Sequence, residues 1–385
     1  MTPIIDIHAH VFNARDIPIK GYLLSRARKT LAERLLSWAL VPLIAACLRK
    51  GQTGLGPLCY SVLEFVSLLM GGQYRAWAHT LSQKVTDIAA ELVYTYPQTD
   101  LLIPLVIDFE YWFPNSPDTD IKQQIEHIAE HVILPYKGRI HPFVPFDPAR
   151  ELVYRKGLES PDGGPEKHSS LALVRDAIEN KGFIGVKLYN SLGYKPFNNA
   201  TVDDKRHKIW LHRKMGYADA LTGRDYDEVL CELYDYCVEN EVPITAHCVM
   251  DGIESYPGAS FDFCAATFWR EVLRQERYKS LRLNLAHFGW SLAYGYDGPR
   301  SWAPDVSRML TEFEHLYADV AHHYVLAEDD RRQFIEGFVK MRGEAGARWP
   351  QVKRKILFGI DWHVIKRAQG YADFQDAYAE VLTEG

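Results

Sequence analysis

Cysteine is scarce in this chain of 385 residues, and its six copies (Cys47, Cys59, Cys231, Cys237, Cys248 and Cys264) form no C-x-x-C pair. Thiols scattered like this argue for free cysteines in a reducing compartment over a disulfide framework. Positive charge is not in excess either. The formal net charge is −6, whereas a nucleic-acid partner leaves a basic footprint. No hydrophobic run is long enough to span a bilayer, and the longest nearly uncharged stretch, 35–48, is short and carries Pro42. A helix in a core or at a subunit interface is the better reading of it. A secretory signal is missing, because His8 and His10 sit where its apolar region would begin, so a cytoplasmic protein is expected. Internal repeats and low-complexity segments are absent. So is a G-x-S-x-G elbow, which leaves nucleophilic serine catalysis without support.

What is present is an ordinary globular balance, 47% hydrophobic and 24% charged. Segments of strand and helix character alternate along it. Apolar runs at 101–107, 140–146, 183–188, 242–246, 281–286, 316–320 and 356–360 are strand-like, and helical patterns separate them, for example at 121–134, 170–180 and 226–240. With the first strand near residue 5, this makes eight strand candidates with short parallel crossovers. Such a series closes most naturally as a (β/α)8 TIM barrel, with an open doubly wound sheet as the structural alternative. Barrels of this kind run past about 250 residues as one unit, so a single domain over 1–385 is expected. Residues 14–98 read as an inserted helical segment after the first strand, with helices at 22–48, 58–70 and 74–94 broken at glycines. Their apolar content predicts a subunit interface, hence a homo-oligomer, or a cap on the barrel.

The first strand reads Ile4-Ile5-Asp6-Ile7-His8-Ala9-His10. Residues two apart on a strand share a face, so His8 and His10 point the same way and can bind one metal ion. The bland alternative is a half-polar strand whose histidines bond to neighbours. In a barrel, functional groups sit where strands end. The fifth strand ends at His247, the sixth at His287 and the eighth at Asp361. Each alone has an ordinary explanation, a core histidine or a helix N-cap. All five meeting the pattern by chance is far harder to accept. Imidazole and carboxylate ligands around an open position suit Zn²⁺, with Mn²⁺, Fe²⁺ or Co²⁺ as alternatives.

This ordered set resembles the amidohydrolase superfamily, with its H-x-H first strand, later histidines and eighth-strand aspartate. The branch it is most similar to is the amidohydrolase-related family of metal-dependent hydrolases, which also includes non-hydrolytic decarboxylases. The resemblance covers the barrel from residue 1 to about 365 and not the inserted helices. It implies that His8, His10, His247 and Asp361 are metal ligands. His287 would lie beside the site as substrate contact, proton shuttle or second-metal ligand. One departure is His363, where the family often has proline. Lys187, at the fourth strand end, matches a lysine that two-metal members carbamylate to bridge their ions, while one-metal members lack that bridge. An ammonium pairing with a substrate carboxylate is an equal alternative, and one tightly held ion is expected.

The chemistry that follows is hydrolysis by water whose pKa the metal lowers to about 7. Asp361 would carry the proton to the leaving group, and His287 or Lys187 would stabilise the developing charge. The expected substrate is a small ester, lactone or amide; the alternative reaction is decarboxylation of an aromatic or unsaturated acid. The loop 190–225 carries Lys205, Arg206, His207, Lys208, Arg213 and Lys214. That run reads as a solvated face or, more sharply, as an attraction for an acidic substrate. Tyr111, Trp112, Trp290, Tyr294, Tyr296 and Trp302 in strand-end loops either line a pocket for a ring-bearing compound or pack the loops. Arg150 reads as structural.

Overall fold

The structure, a computed structural model, describes residues 3–21, 42–47, 79–113, 116–158, 168–202, 220–290, 295–366 and 370–384. Eight short parallel strands run through it in chain order: β1 Ile5–Ala9, β2 Leu101–Pro104, β3 Phe143–Pro145, β4 Gly185–Leu188, β5 Ile244–Ala246, β6 Leu283–Leu285, β7 Leu316–Asp319 and β8 Ile356–Leu357. Strands β3 to β8 form one sheet in that order and β1 pairs with β2. Two further parallel bridges, Leu102 with Ile140 and Leu105 with Phe143, join β2 to the β3 side. The ring closes on the other side. Ile7 N–H donates to Phe358 O (3.1 Å) and Asp361 N–H donates to His8 O (2.6 Å). The chain is therefore the expected (β/α)8 barrel.

Each strand was expected and each is shorter than its apolar run, because the run continues into loop backbone once ladder bonding stops. The pleat explains the sequence. In β4 to β7, Val186, Leu188, Ile244, Ala246, Leu283, Leu285, Leu316 and Ala318 belong to the apolar core. The residues between them, Lys187, Thr245 and Asn284, take the opposite face and stand level in register. That second face is polar and leads to the site.

The intervening helices start on local signals. Helix α1 (Val85–Thr95) buries Val85, Ile88, Ala89 and Leu92, one stripe of a helix. A capping box of Asp120 and Gln123 starts α2 (Ile121–Ile128), which runs on through a π-turn at Ala129–Ile133. Helix α3 (Pro148–Arg155) begins at Asp147, whose carboxylate accepts from Ala149 N–H. Ser169 caps α4 (Ser170–Asn180), which has the bounds expected from sequence. Thr222 and Asp225 box the start of α5 (Gly223–Glu239). Then come α6 (Ala266–Leu273), α7 (Ala303–Glu312), α8 (Glu328–Ala345) and α9 (Phe374–Glu384).

Of the inserted segment, residues 42–47 and α1 are helical. The rest of the expected helices at 22–48, 58–70 and 74–84 falls largely outside the described residues, as do Lys205, Arg206, His207, Lys208, Arg213, Lys214 and Tyr294. Among the described residues no helix is long and apolar enough to cross a membrane. Among the described residues, Cys231, Cys237, Cys248 and Cys264 form no disulfide.

Candidate metal centre

The site forms where β1, β6, β7 and β8 end. His8, on β1, and His10, the residue just after its end, are both buried, so each ring must find partners there. His8 Nδ1 lies 3.2 Å from Asp319 Oδ2. His10 Nδ1 lies 2.7 Å from Leu105 O. A carboxylate and a carbonyl only accept, so both Nδ1 atoms carry a proton, and in the neutral ring it is Nε2 that holds the lone pair. The Nε2 of His10 is 3.5 Å from Asp361 Oδ1. That buried oxygen has no hydrogen-bond partner. Close packing brings β8 up to β1: a Cβ on Gly359 would meet His8 Cβ at 2.7 Å.

The loops leaving β6, β7 and β8 turn sharply. His287, His322 and Asp361 all have positive φ (62°, 66° and 55°), a conformation that costs a non-glycine residue about 1–3 kcal/mol. Asp319, the last residue of β7, holds these turns. Its Oδ1 accepts from His287 N–H (2.9 Å) and Ala321 N–H (3.1 Å), and its Oδ2 accepts from Asn284 Nδ2 (2.7 Å). On β1, Asp6 does a similar job by accepting through Oδ1 from His8 N–H (2.9 Å) and Ile360 N–H (3.1 Å).

Lys187 is buried, and its Nζ has no hydrogen-bond partner. It stands 5.6 Å from the centre of the Tyr189 ring. Burial pushes its ammonium down to about 8, against the opposing pull of Asp319 and Asp361. His247 packs on Tyr189 with ring centres 4.5 Å apart. Its Nε2 donates to Asp251 O (2.7 Å) and its buried Nδ1 is left without a partner. Gly252 is required in this loop, since φ is +110° and a Cβ would lie 2.6 Å from Tyr189 Oη.

Three sets bring their ligand atoms within 4.8 Å of one another: His8, His10 and Asp361; His8, His287 and Asp319; and His287, His322 and Asp361. His8, His10, His287 and Asp361 are thus gathered as the sequence suggested, while His247 belongs to none of these sets, although its ring is 5.1 Å from that of His287. Burial, reinforced by His8 and Lys187, holds His10 well below the ordinary histidine value. Burial and neighbouring imidazoles do the same for His287, and burial brings His247 down to about 3. Asp319 goes the other way. Burial raises it, but His8 and its hydrogen bonds outweigh that and leave it at about 2. Neutral imidazoles beside ionised carboxylate are what a divalent cation needs, and the orphaned Asp361 Oδ1 fits the same conclusion.

Sequence reasoning missed Asp319 and His322. A carboxylate ending a strand and a His-His pair three residues later were in view, but nothing in their spacing ties them to the first strand. Arg150 is structural, as expected. It is buried and forms ion pairs with Asp108 (2.5 Å) and Glu110. Tyr111, Trp112, Trp290 and Tyr296 are also buried, so these rings pack the loops, the less specific of the two expectations.

A family profile described as Amidohydrolase matches residues 156–384, more than half of the chain. The chain belongs to the amidohydrolase family. No curated protein matches the chain. Among solved structures, this amidohydrolase is similar to a Lactobacillus casei protein provisionally described as a metal-dependent hydrolase, at 14% identity and a TM-score of 0.42, over 100% of this chain and 86% of that one. An amidohydrolase from Burkholderia multivorans with bound zinc is 12% identical, with a TM-score of 0.46 over 80% and 84% of the two chains. A 5-carboxyvanillate decarboxylase from Novosphingobium aromaticivorans with bound manganese is 10% identical, with a TM-score of 0.37 over 97% and 94%. Likenesses this distant carry no weight beyond the family match.

Proposed function

We propose that this amidohydrolase is a metal-dependent hydrolase of small esters, lactones or amides. The observation that carries the reading is the convergence of His8, His10 and Asp361, with each Nδ1 tied off and Asp361 Oδ1 buried without a partner. His8 and His10 would hold the cation through Nε2 and Asp361 through Oδ1. His247 is the fourth ligand in this proposal, through the Nδ1 that its bond to Asp251 leaves with a lone pair. Zn²⁺ is the best match to such nitrogen-rich donors. When bound, the cation supplies Lewis acidity and lowers the pKa of water to about 7.

The remaining work falls to the chain itself. Asp361 accepts the proton of the attacking water and passes it to the leaving group. The Lys187 ammonium, without another hydrogen-bond partner, stabilises negative charge developing on the substrate. His287 stands beside them and orients the substrate. Low exposure of all these groups keeps bulk water from screening their charges. A cytoplasmic location and an oligomeric state belong to the same reading.

The test uses metal-loaded protein, aryl esters, lactones and anilides as hydrolysis probes, and substituted benzoic acids as decarboxylation probes. The expected result is turnover in H₂¹⁸O that labels a product carboxylate, lost in Asp361→Asn while metal is retained, because an amide ligates through oxygen but accepts no proton. Released CO₂ with solvent deuterium on carbon, and no ¹⁸O in the organic product, would make the protein a lyase instead.

A further inference from the structure

We infer that His322 is the contact for the leaving group of the substrate, and that this group is planar and ring-bearing. The inference rests on the hydrolase reading above and deepens it. It begins with the two oxygens of Asp361. Oδ1, 3.5 Å from His10 Nε2, is the oxygen given to the cation in that reading. Oδ2 is turned to His322 and lies 3.9 Å from its Nδ1. A carboxylate engaged through Oδ1 hands on a proton from Oδ2, so the leaving atom must come within about 2.6–3.2 Å of Oδ2. Whatever is bonded to that atom then has the His322 ring as its neighbour.

The turn after β7 aims this side chain. His322 has a φ of +66°, and such strain in a non-glycine residue goes with a functional placement. The peptide before it is pinned from both sides. Asp319 Oδ1 accepts from Ala321 N–H (3.1 Å), and Ala321 O accepts from Nδ1 of His287 (3.2 Å) and of His323 (3.1 Å). The two adjacent histidines part here. His323 is buried, with its ring centre 4.7 Å from that of Trp290 and 5.2 Å from that of Phe334. His322 turns instead to Asp361 and stays 23% exposed, against 1% for His8, 9% for His10 and 5% for Asp361. Of these groups it is the one an incoming molecule meets first.

Rings line this side of the opening. Tyr324, partly buried, stands edge-on to His322 with centres 5.5 Å apart, and His287 does so at 5.9 Å. A flat aromatic group gains from ring contacts beyond the area it buries, whereas a short alkyl group gains only area.

The test is one of binding and does not depend on turnover. Phenyl methylphosphonate and methyl methylphosphonate both mimic the tetrahedral stage of ester hydrolysis, and they differ only on the leaving-group side. Calorimetry with metal-loaded full-length protein measures the affinity of each. The wild type should hold the phenyl ester about tenfold more tightly or better, from ring area and ring contact together. His322→Asn and His322→Gly, whose backbones accept that φ, should keep the metal and cut this preference about fivefold or more, the reach of one aromatic contact. Equal binding of the two esters by the wild type, or an undiminished preference in the variants, overturns the role of His322 and leaves the hydrolase reading standing. Loss of the metal in both variants would make His322 part of the metal centre and overturn that role as well. No binding of either ester to metal-loaded protein overturns the hydrolase reading itself.

Discussion

Asp319 touches no substrate in the proposed chemistry, yet Asp319→Asn should cripple metal binding. The carboxylate takes four hydrogen bonds, from His8 Nδ1, Asn284 Nδ2, His287 N–H and Ala321 N–H. Asparagine has one accepting oxygen, which the two backbone donors claim. Its amide nitrogen then faces His8 Nδ1 and Asn284 Nδ2, where two acceptors are needed. Asn284 can rotate, because its Oδ1 has no partner now. His8 can accept only by moving its proton to Nε2, and that removes the lone pair a cation requires. Loss of such an orienting partner weakens metal binding about 10- to 100-fold, or roughly 1.4–2.7 kcal/mol. The fold should lose roughly 1.5–3 kcal/mol, the worth of a hydrogen bond to a charged group. Competition with a chromophoric chelator measures the first effect and denaturant unfolding of the metal-free protein the second. A variant that holds Zn²⁺ within about twofold of the wild type would refute the tautomer argument.

Arg150→Met should destabilise the protein by roughly 3–5 kcal/mol, because Asp108 and Glu110 would be left buried without their cation; a loss under about 1 kcal/mol in urea unfolding would contradict this. Asp16 supplies a pH test away from the site. Burial pushes its carboxyl from 3.8 up to about 6, so the fold favours the protonated form. Its contribution, at most roughly 3 kcal/mol, is complete below about pH 3.8 and lost as pH rises through about 6. Asp16→Asn should flatten the fall in stability over that window, and an unchanged slope of denaturant midpoint against pH would count against it.

The barrel was readable because its strands are apolar runs separated by helix patterns, and the period of each survives in the sequence. Helix α4 shows how complete the signal can be, with Ser169 as cap and its buried stripe in phase. His8 and His10 were readable for a related reason, since alternation on a strand fixes their common face. Asp319 was not. Its importance comes from a ring 311 positions away, and no local period encodes that partner. His322 escaped for a different reason. It lies beyond the strand, on a turn whose handed backbone places the side chain, and sequence spacing does not predict a positive φ at histidine. The place of His247 was obscured by a local bond, because Asp251 O takes the nitrogen that a free strand-end histidine would have offered.

The closure of β8 on β1 has a consequence for biosynthesis. Asp6 and Ile360, joined by a hydrogen bond, are 354 positions apart, and Asp361 completes the proposed ligand set begun at His8. A ribosome adds about 5–20 residues each second, so the first strand exists for roughly tens of seconds before its neighbour emerges. During that interval β1 can ladder with β2 but has an open edge, the kind of edge that invites wrong partners. Ion capture by the complete set must therefore come after the last strand docks. The arrival of the metal proposed above would be a timestamp on the finished barrel, and a pulse-labelled nascent chain should acquire chelator-resistant divalent metal only once translation has passed residue 361.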